Sequence, residues 1–302
     1  MLNKHKLSDI YRKYGFTEEI PSTPDIVVFS KKVGVFNIAD IIPLKEIDVN
    51  GVFEYYKELG YACKKRTYYS HEDAQKELFS VFFSIESTKE RLRKEYSNFK
   101  ESIVKTHSEY AHHSFTQSRK NVNWTIGVND LTKEISNKIK FEKPMLFLIE
   151  VSTKFGRTCA AYEILYYLIS HYLDITPLFT ELSRNRHANI FRYVLLDEID
   201  RSFPFLSSSL VINEIKNGNI PVILDGFDEL FHESANDEDY NYEKTEPMLE
   251  TISELLSGKA KIIITTRRTA IFDGDNFHQW IFSHNEDFEV IRIRIHEPQI
   301  EE

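Results

Sequence analysis

The sequence predicts an α/β fold: a helix-covered parallel sheet in the second half, preceded by a small α/β domain. Two observations carry this. From Pro144 onward, short and almost wholly apolar runs ("PMLFLIEV", "PVILD", "KIIITT") alternate with stretches of helical spacing. Strands apolar on both faces belong to sheets buried on both sides, and those are mostly parallel sheets joined by crossover helices. The first hundred residues instead hold β-branched runs close enough together to pair as a hairpin.

Bulk properties bound the rest. A chain of 302 residues is long enough for two domains with a sizeable core. Gly and Pro number only 10 and 9, so long disordered linkers are not expected. A net charge of −9 argues against nucleic acid or an anionic membrane as the partner of the whole chain. Two cysteines, Cys63 and Cys159, make neither a disulfide framework nor a four-ligand zinc site. No apolar run reaches membrane-spanning length, and "MLNKHKLSDIYRKYGF" lacks the apolar block of a signal peptide. The expectation is a cytoplasmic chain that meets protein partners or copies of itself, and no membrane.

Taken in order, "DIVVFS" and "VGVFNIADII" predict two strands on either side of a turn at "KK". "DVNGVFEYYKELGY" has apolar residues at helical spacing and a glycine stop at Gly60. "ACKKRTYYS" reads as a strand. Ser70, with Asp73 three positions on, predicts a capped helix start, and a charged helical stretch follows through "TKERLRKEYSNFKESIVKTHSEYA". The expected division is residues 1–110, a small α/β domain for interaction or a degenerate effector; 111–143, a polar linker ending in a short helix at "VNDLTKEISNKIK"; and 144–302, the sheet domain. Within the last, "TCAAYEILYYLISHYL", "NIFRYVLLDEI", "LSSSLVINEIKNG" and "EPMLETISELLSG" predict helices between the apolar strands.

Ligands of parallel sheets sit beyond the carboxyl ends of the strands, so the polar tips of three strands are the candidate site. The first, "EVSTKFGRT", nearly matches the phosphate-loop pattern G-x-x-x-x-G-K-[ST]. Gly156 and Thr158 are in place, while Val151 stands at the first glycine and Arg157 at the lysine. A glycine loop before a helix gathers amides and the positive helix end at one point. The second tip, "VILDGFDEL", ends an apolar strand in Asp225, suited to organising magnesium, with Asp228 and Glu229 one turn on to orient water. Three carboxylates at one strand end repel each other unless a cation or donors offset them. The third, "KIIITTRR", offers Thr265 and Thr266 as donors and Arg267 or Arg268 as phosphate cations.

Together these tips resemble the Walker-B and sensor segments of NACHT domains, the signalling P-loop NTPases of the STAND class. That family typically writes Asp, a small residue, an apolar residue, then Asp-Glu-Leu, matched by Asp225, Gly226, Phe227, Asp228, Glu229 and Leu230. Its sensor strand typically ends Thr-Ser-Arg, matched by Thr265, Thr266 and Arg267. "PLFTELSRNR" and "LVINEIKNGNIPVI" fit the helices such domains carry between the Walker segments. The resemblance covers Lys143 to the C-terminus. It implies a P-loop NTPase domain that binds ATP or ADP with Mg²⁺ and oligomerises on a signal; bacterial relatives serve in anti-phage defence. It also implies later parts, which would begin at "FEVIRIRIHEPQIEE", where the sequence stops.

Val151 and Arg157 weaken the phosphate loop. A β-branched residue stands where the chain must turn tightly, and a planar fork replaces a compact ammonium. Lys154, inside the loop, is the substitute cation. The expectation is nucleotide binding with slow or absent hydrolysis. Lys154, Gly156, Arg157, Thr158, Thr266 and Arg267 would meet the nucleotide, Thr158 and Asp225 would hold Mg²⁺, and Asp228 and Glu229 would be catalytic if turnover survives. The chain is then a nucleotide-controlled switch for oligomerisation or partner recruitment, at most a slow ATPase. The alternative is a pseudo-NTPase scaffold that binds no nucleotide.

Other signals carry less. A restriction-enzyme-like core needs an aspartate and then Glu-x-Lys on the next strand. Asp25 begins a suitable strand, but Asn37 and Asp40 fall where the later residues belong, so an interaction domain is the better reading. His107, His112 and His113 lack a completing ligand and read as solvated linker. "KERLRKEY" and the acids of "LLDEID" read as exposed helix faces, and "LYYLISHYL" as core packing.

Overall fold

The computed structural model describes residues 2–20, 23–106, 114–119, 122–151, 156–185, 190–230, 242–267 and 270–295. The chain forms two compact units, Met1–Ser84 and Ile85–Glu302.

The first unit runs α1 (Lys4–Lys13), β1 (Thr17–Glu19), β2 (Ile26–Val33), β3 (Phe36–Pro43), α2 (Asn50–Glu58), β4 (Tyr61–Lys65) and α3 (His71–Phe82). Its sheet has the order β1-β2-β3-β4. The first two pairings are antiparallel, and β3 pairs β4 in parallel after the α2 crossover. Ile26, Val28, Ala39 and Ile41 bury one face of the sheet with Val52 and Tyr56 of α2. On the other face the Tyr11 ring stacks on Phe29 at 4.1 Å. The "KK" pair, expected to turn, stays in the ladder: Lys31 pairs Ile38, Lys32 pairs Asn37, and the loop is Gly34–Val35. A two-residue loop with glycine first matches the twist of the strands it joins, and Gly34 has φ 61°. Ser70 and Asp73 form the expected reciprocal cap of α3.

The second unit runs α4 (Ile85–Thr106), β5 (Ser114–Arg119), β6 (Val122–Gly127), α5 (Val128–Ile139), β7 (Met145–Val151), α6 (Arg157–His171), β8 (Leu178–Glu181), α7 (Phe191–Ser202), α8 (Ser208–Lys216), β9 (Val222–Asp225), α9 (Tyr242–Leu255), β10 (Lys261–Arg267), α10 (Ala270–Asp273), α11 (Asp275–Ser283) and β11 (Glu289–Ile295). The sheet order is β6-β5-β11-β7-β10-β9-β8. The five strands from β11 to β8 are parallel, and β5 and β6 extend them antiparallel. Met145, Phe147, Ile149 and Val151 bury against Ala161, Ile164 and Leu168 of α6, with Leu92 and Tyr96 of α4 and Ile135 of α5. Each such side chain contributes about 1.5–3 kcal/mol of transfer energy. Their alternates Leu146 and Leu148 are as deeply buried on the other face, which is why the run carries no polar alternation.

Three segments differ from expectation. "LFTE" inside "PLFTELSRNR" is β8, a four-residue strand paired to β9, not helix. Phe179 of this strand belongs to the core. "EVIRIRI" near the C-terminus is β11, paired to β7 inside the sheet. The stretch expected to link domains supplies β5, β6 and α5 to the same sheet unit, and the division between units falls at Ser84/Ile85, not near residue 110. The cause is α4, whose Leu92 and Tyr96 are part of the sheet core.

Candidate functional site

Side chains alternate across a strand, so parity decides which residues reach a common point. Asp225 pairs Thr265, which pairs Ile149. Ile149, Ile223 and Ile263 all pack in the core against α6, so Asp225 and Thr265 face the start of that helix. Thr265 Oγ1 donates to Asp225 Oδ1 at 2.5 Å and accepts the Gly226 amide at 3.2 Å. Thr266 is one residue out of phase. It lies beside Glu150, and its hydroxyl donates to the Arg267 carbonyl. Of the two threonines, Thr265 is the one at the carboxylates, a point that counting two residues from Ile263 would have given.

Gly156 caps α6 with φ 82° and ψ 35°, in the left-handed region, and no side chain caps the helix. Lys154 lies outside the described residues, as do His107, His112, His113 and Arg268. Arg157, the first residue of α6, turns its guanidinium into the acids that follow β9. Its Nη1 donates to Asp228 Oδ1 at 2.7 Å and its Nη2 to Glu229 Oε1 at 3.1 Å. Its Nε stands 3.6 Å from Asp225 Oδ1. Arg267 closes the far side: its amide donates to Asp228 Oδ1 at 3.0 Å and its Nη2 to Glu229 Oε1 at 3.3 Å, with Nε 3.4 Å from Asp228 Oδ2.

Gly226 makes this seat. Its φ of 84° is strained for any residue with a side chain, and a Cβ there would lie 2.9 Å from Arg157 Nη2. Asp225, Asp228 and Glu229 are all buried. Burial pushes the Asp225 carboxyl above its ordinary range, against the opposing pull of Thr265, Arg157 and Thr158. Burial also works against the Arg157 charge, but Asp228, Asp225 and Glu229 outweigh it and hold the guanidinium protonated. Three carboxylates are thus met by two arginines. A magnesium ion needs carboxylate oxygens free to converge at about 2.0–2.1 Å on one point. Here Asp228 Oδ1 and Glu229 Oε1 already accept from guanidinium nitrogens and Arg157 Nε stands 3.6 Å from Asp225 Oδ1, so with Arg157 in this seat the arrangement does not fit the metal. Among the described residues no group of three or more His, Cys, Asp or Glu is placed to hold a metal ion.

The first unit holds a second arginine among acids. Asp40, on β3, is buried, with its Oδ2 2.5 Å from Arg66 Nε. Tyr11 donates to the same oxygen at 3.1 Å and shares a 2.8 Å hydrogen bond with Tyr68. Arg66 also pairs with Glu77. Asn37 is exposed, and Asp25 pairs instead with Lys45 at 2.9 Å, so the nuclease candidates do not converge.

Two helix faces expected to be solvated carry buried charges. Lys89 is buried and donates to the Tyr172 carbonyl. Glu198 is buried and accepts from Thr180, Arg201 and Ser202. Sequence reading also missed Glu150, fully buried at the end of β7, which accepts from Arg292 Nε at 2.5 Å and Arg294 Nε at 3.0 Å.

A family model described as NACHT-associated inactive Restriction Endonuclease 2 matches residues 6–123. This part of the chain is therefore similar to a domain associated with NACHT proteins, which links the chain to NACHT-containing systems. No curated protein matches the chain.

Proposed function

We propose that the chain is a component of a NACHT-containing system whose sheet unit is an NTPase-like scaffold that does not turn over nucleotide. The observation that carries this is the Arg157 guanidinium among Asp225, Asp228 and Glu229. Hydrolysis of a phosphoanhydride by such a site needs a metal on the phosphates and a carboxylate free to orient water. Both carboxylates nominated for water, Asp228 and Glu229, are engaged by arginines. On this reading the unit offers its surface to protein partners or to copies of itself.

A second reading, the nucleotide-controlled switch, draws on a different observation: α6 opens at Gly156 with no side-chain cap, leaving first-turn amides for an anion. Gly156, Arg157 and Thr158 would then meet the phosphates of ATP or ADP, Thr158 and Asp225 would hold Mg²⁺, and Arg267 would read the γ-phosphate. That requires Arg157 to abandon three carboxylates, which is why the scaffold is preferred. Denaturing freshly purified protein and chromatographing the supernatant separates the two. The scaffold expects no released nucleotide and no shift in melting temperature with millimolar MgATP. Stoichiometric ADP or ATP overturns it in favour of the switch.

A further inference from the structure

The acids after β9 already hold a cation, and it is part of the chain. We propose that Arg157 is the resident cation of this cradle, so that its guanidinium and a divalent metal are mutually exclusive occupants of the site formed by Asp225, Asp228 and Glu229. The proposal deepens the scaffold reading and rests on the same residues, but it makes a claim of its own: with the arginine removed, the cradle takes a metal.

The geometry argues for replacement rather than coexistence. Each of the three guanidinium nitrogens faces a different carboxylate, at 3.6, 2.7 and 3.1 Å. A divalent ion among those oxygens would stand within a few ångströms of the guanidinium, where like-charge repulsion is severe in a buried setting. The Arg157 side chain is 14% exposed and the Asp228 side chain fully buried, so solvent does little to screen that repulsion. The seat is shaped for a flat group: Gly226 presents bare backbone, and a Cβ would come within 3.2 Å of Arg157 Cζ. A lysine ammonium is a compact point charge that cannot face three carboxylates in a plane at once. Arg267 alone does not replace Arg157, because its side chain is 42% exposed and makes no ion pair with Asp225.

The test uses Mn²⁺ alone, followed by electron paramagnetic resonance of the free ion, on the full chain and its variants. Wild-type protein should show no saturable uptake, and millimolar MgCl₂ should leave its melting temperature unmoved. Arg157→Ala should melt lower in EDTA, regain part of the loss with MgCl₂, and bind Mn²⁺ at least about tenfold more tightly than wild type. Adding Asp228→Asn should abolish that uptake. Wild type binding Mn²⁺ as tightly as Arg157→Ala overturns the proposal, as does folded Arg157→Ala that takes up none. If Arg157→Ala does not fold, Arg157→Lys carries the test. Its smaller cation should admit Mn²⁺ more readily than wild type, and no gain overturns the proposal. The scaffold reading fails separately: nucleotide retained by wild type would sink it while leaving the metal result intact.

Discussion

Each unit holds an arginine set among acids, and the two settings differ in what surrounds the pair. In the first unit Arg66 and Asp40 have side chains only 6% and 4% exposed, and Tyr11 and Tyr68 seal the carboxylate from the other side. The Asp40 carboxyl is pushed above its ordinary range by burial even with a guanidinium beside it. Desolvation outweighs attraction there, as is common for buried ion pairs. In the second unit Arg157 lies where a helix starts and strands end, the part of a parallel sheet that faces ligands, and Arg267 reaches the same acids from a half-exposed position. The first pair is a closed structural element. The second lies at the strand ends, buried except where Arg267 is half-exposed.

The largest expected effect is therefore in the first unit. Arg66→Ala strands a buried Asp40 and should cost about 3–5 kcal/mol. Both tryptophans, Trp124 and Trp280, lie in the second unit, so the probes separate the units. The urea midpoint by far-UV circular dichroism should fall further than the midpoint by tryptophan fluorescence. Equal shifts would break the contrast between the two clusters. Arg157→Ala should cost less, about 2–3 kcal/mol, because Arg267 still meets two of the three acids. Its loss should appear in the tryptophan transition. A penalty exceeding that of Arg66→Ala would reverse the ordering argued here.

Gly226→Ala sharpens the comparison at one atom. It forces a side chain into left-handed backbone and against Arg157 Nη2, and should destabilise by about 1–3 kcal/mol. In the Arg157→Ala background the steric part of that cost disappears and only the backbone part stays. A double-mutant cycle should then give a coupling of about 0.5 kcal/mol or more. Strict additivity would mean that the guanidinium does not occupy the glycine's seat.

How far the sequence foretold all this depended on the kind of signal. β7, β9 and β10 were legible because both faces of each are buried, leaving uninterrupted apolar runs. α3 was legible from Ser70 and Asp73. β8 was not, because four residues after a proline carry too little periodicity to distinguish strand from helix. β11 was missed although Ile291, Ile293 and Ile295 alternate with arginines. The partners of those arginines are Glu150, more than 140 residues away, and Asp273, and no local spacing shows either pairing. At the site, the sequence placed the three polar tips at one edge of the sheet, but how Arg157, Arg267 and the three acids would pair there was not legible. That Arg157 would turn toward Asp228, 71 residues on, is a tertiary fact that no local spacing encodes.

The smallest effect belongs to the arginines of β11 and gives the clearest contrast in titration. Asp273 accepts from Arg292 at 2.8 Å and from Arg294 at 2.5 Å. Burial raises its carboxyl, but Arg292 and Arg294 outweigh that and hold it below the ordinary range. A lowered folded value means that the unfolded chain binds the proton more readily. The contribution to stability is therefore complete above the unfolded value and is lost as pH falls through the folded one. Asp273 is 56% exposed, so solvent screening limits the gain to about 1 kcal/mol or less. Asp273→Asn should be slightly less stable than wild type at pH 7, with the gap closing as pH falls below 3.8, the ordinary aspartate value. Asp225 has the opposite sign. Its raised carboxyl costs stability as pH climbs out of the acid range, so replacing it with asparagine should narrow its deficit toward neutral pH, where the Asp273 variant shows its full deficit. Urea midpoints of the two variants, followed from neutral pH down through the ordinary carboxylate range and well below it, should therefore run in opposite directions relative to wild type. Parallel curves would mean that the carboxylates of the arginine-filled cradle are no more desolvated than those on the rim of the sheet.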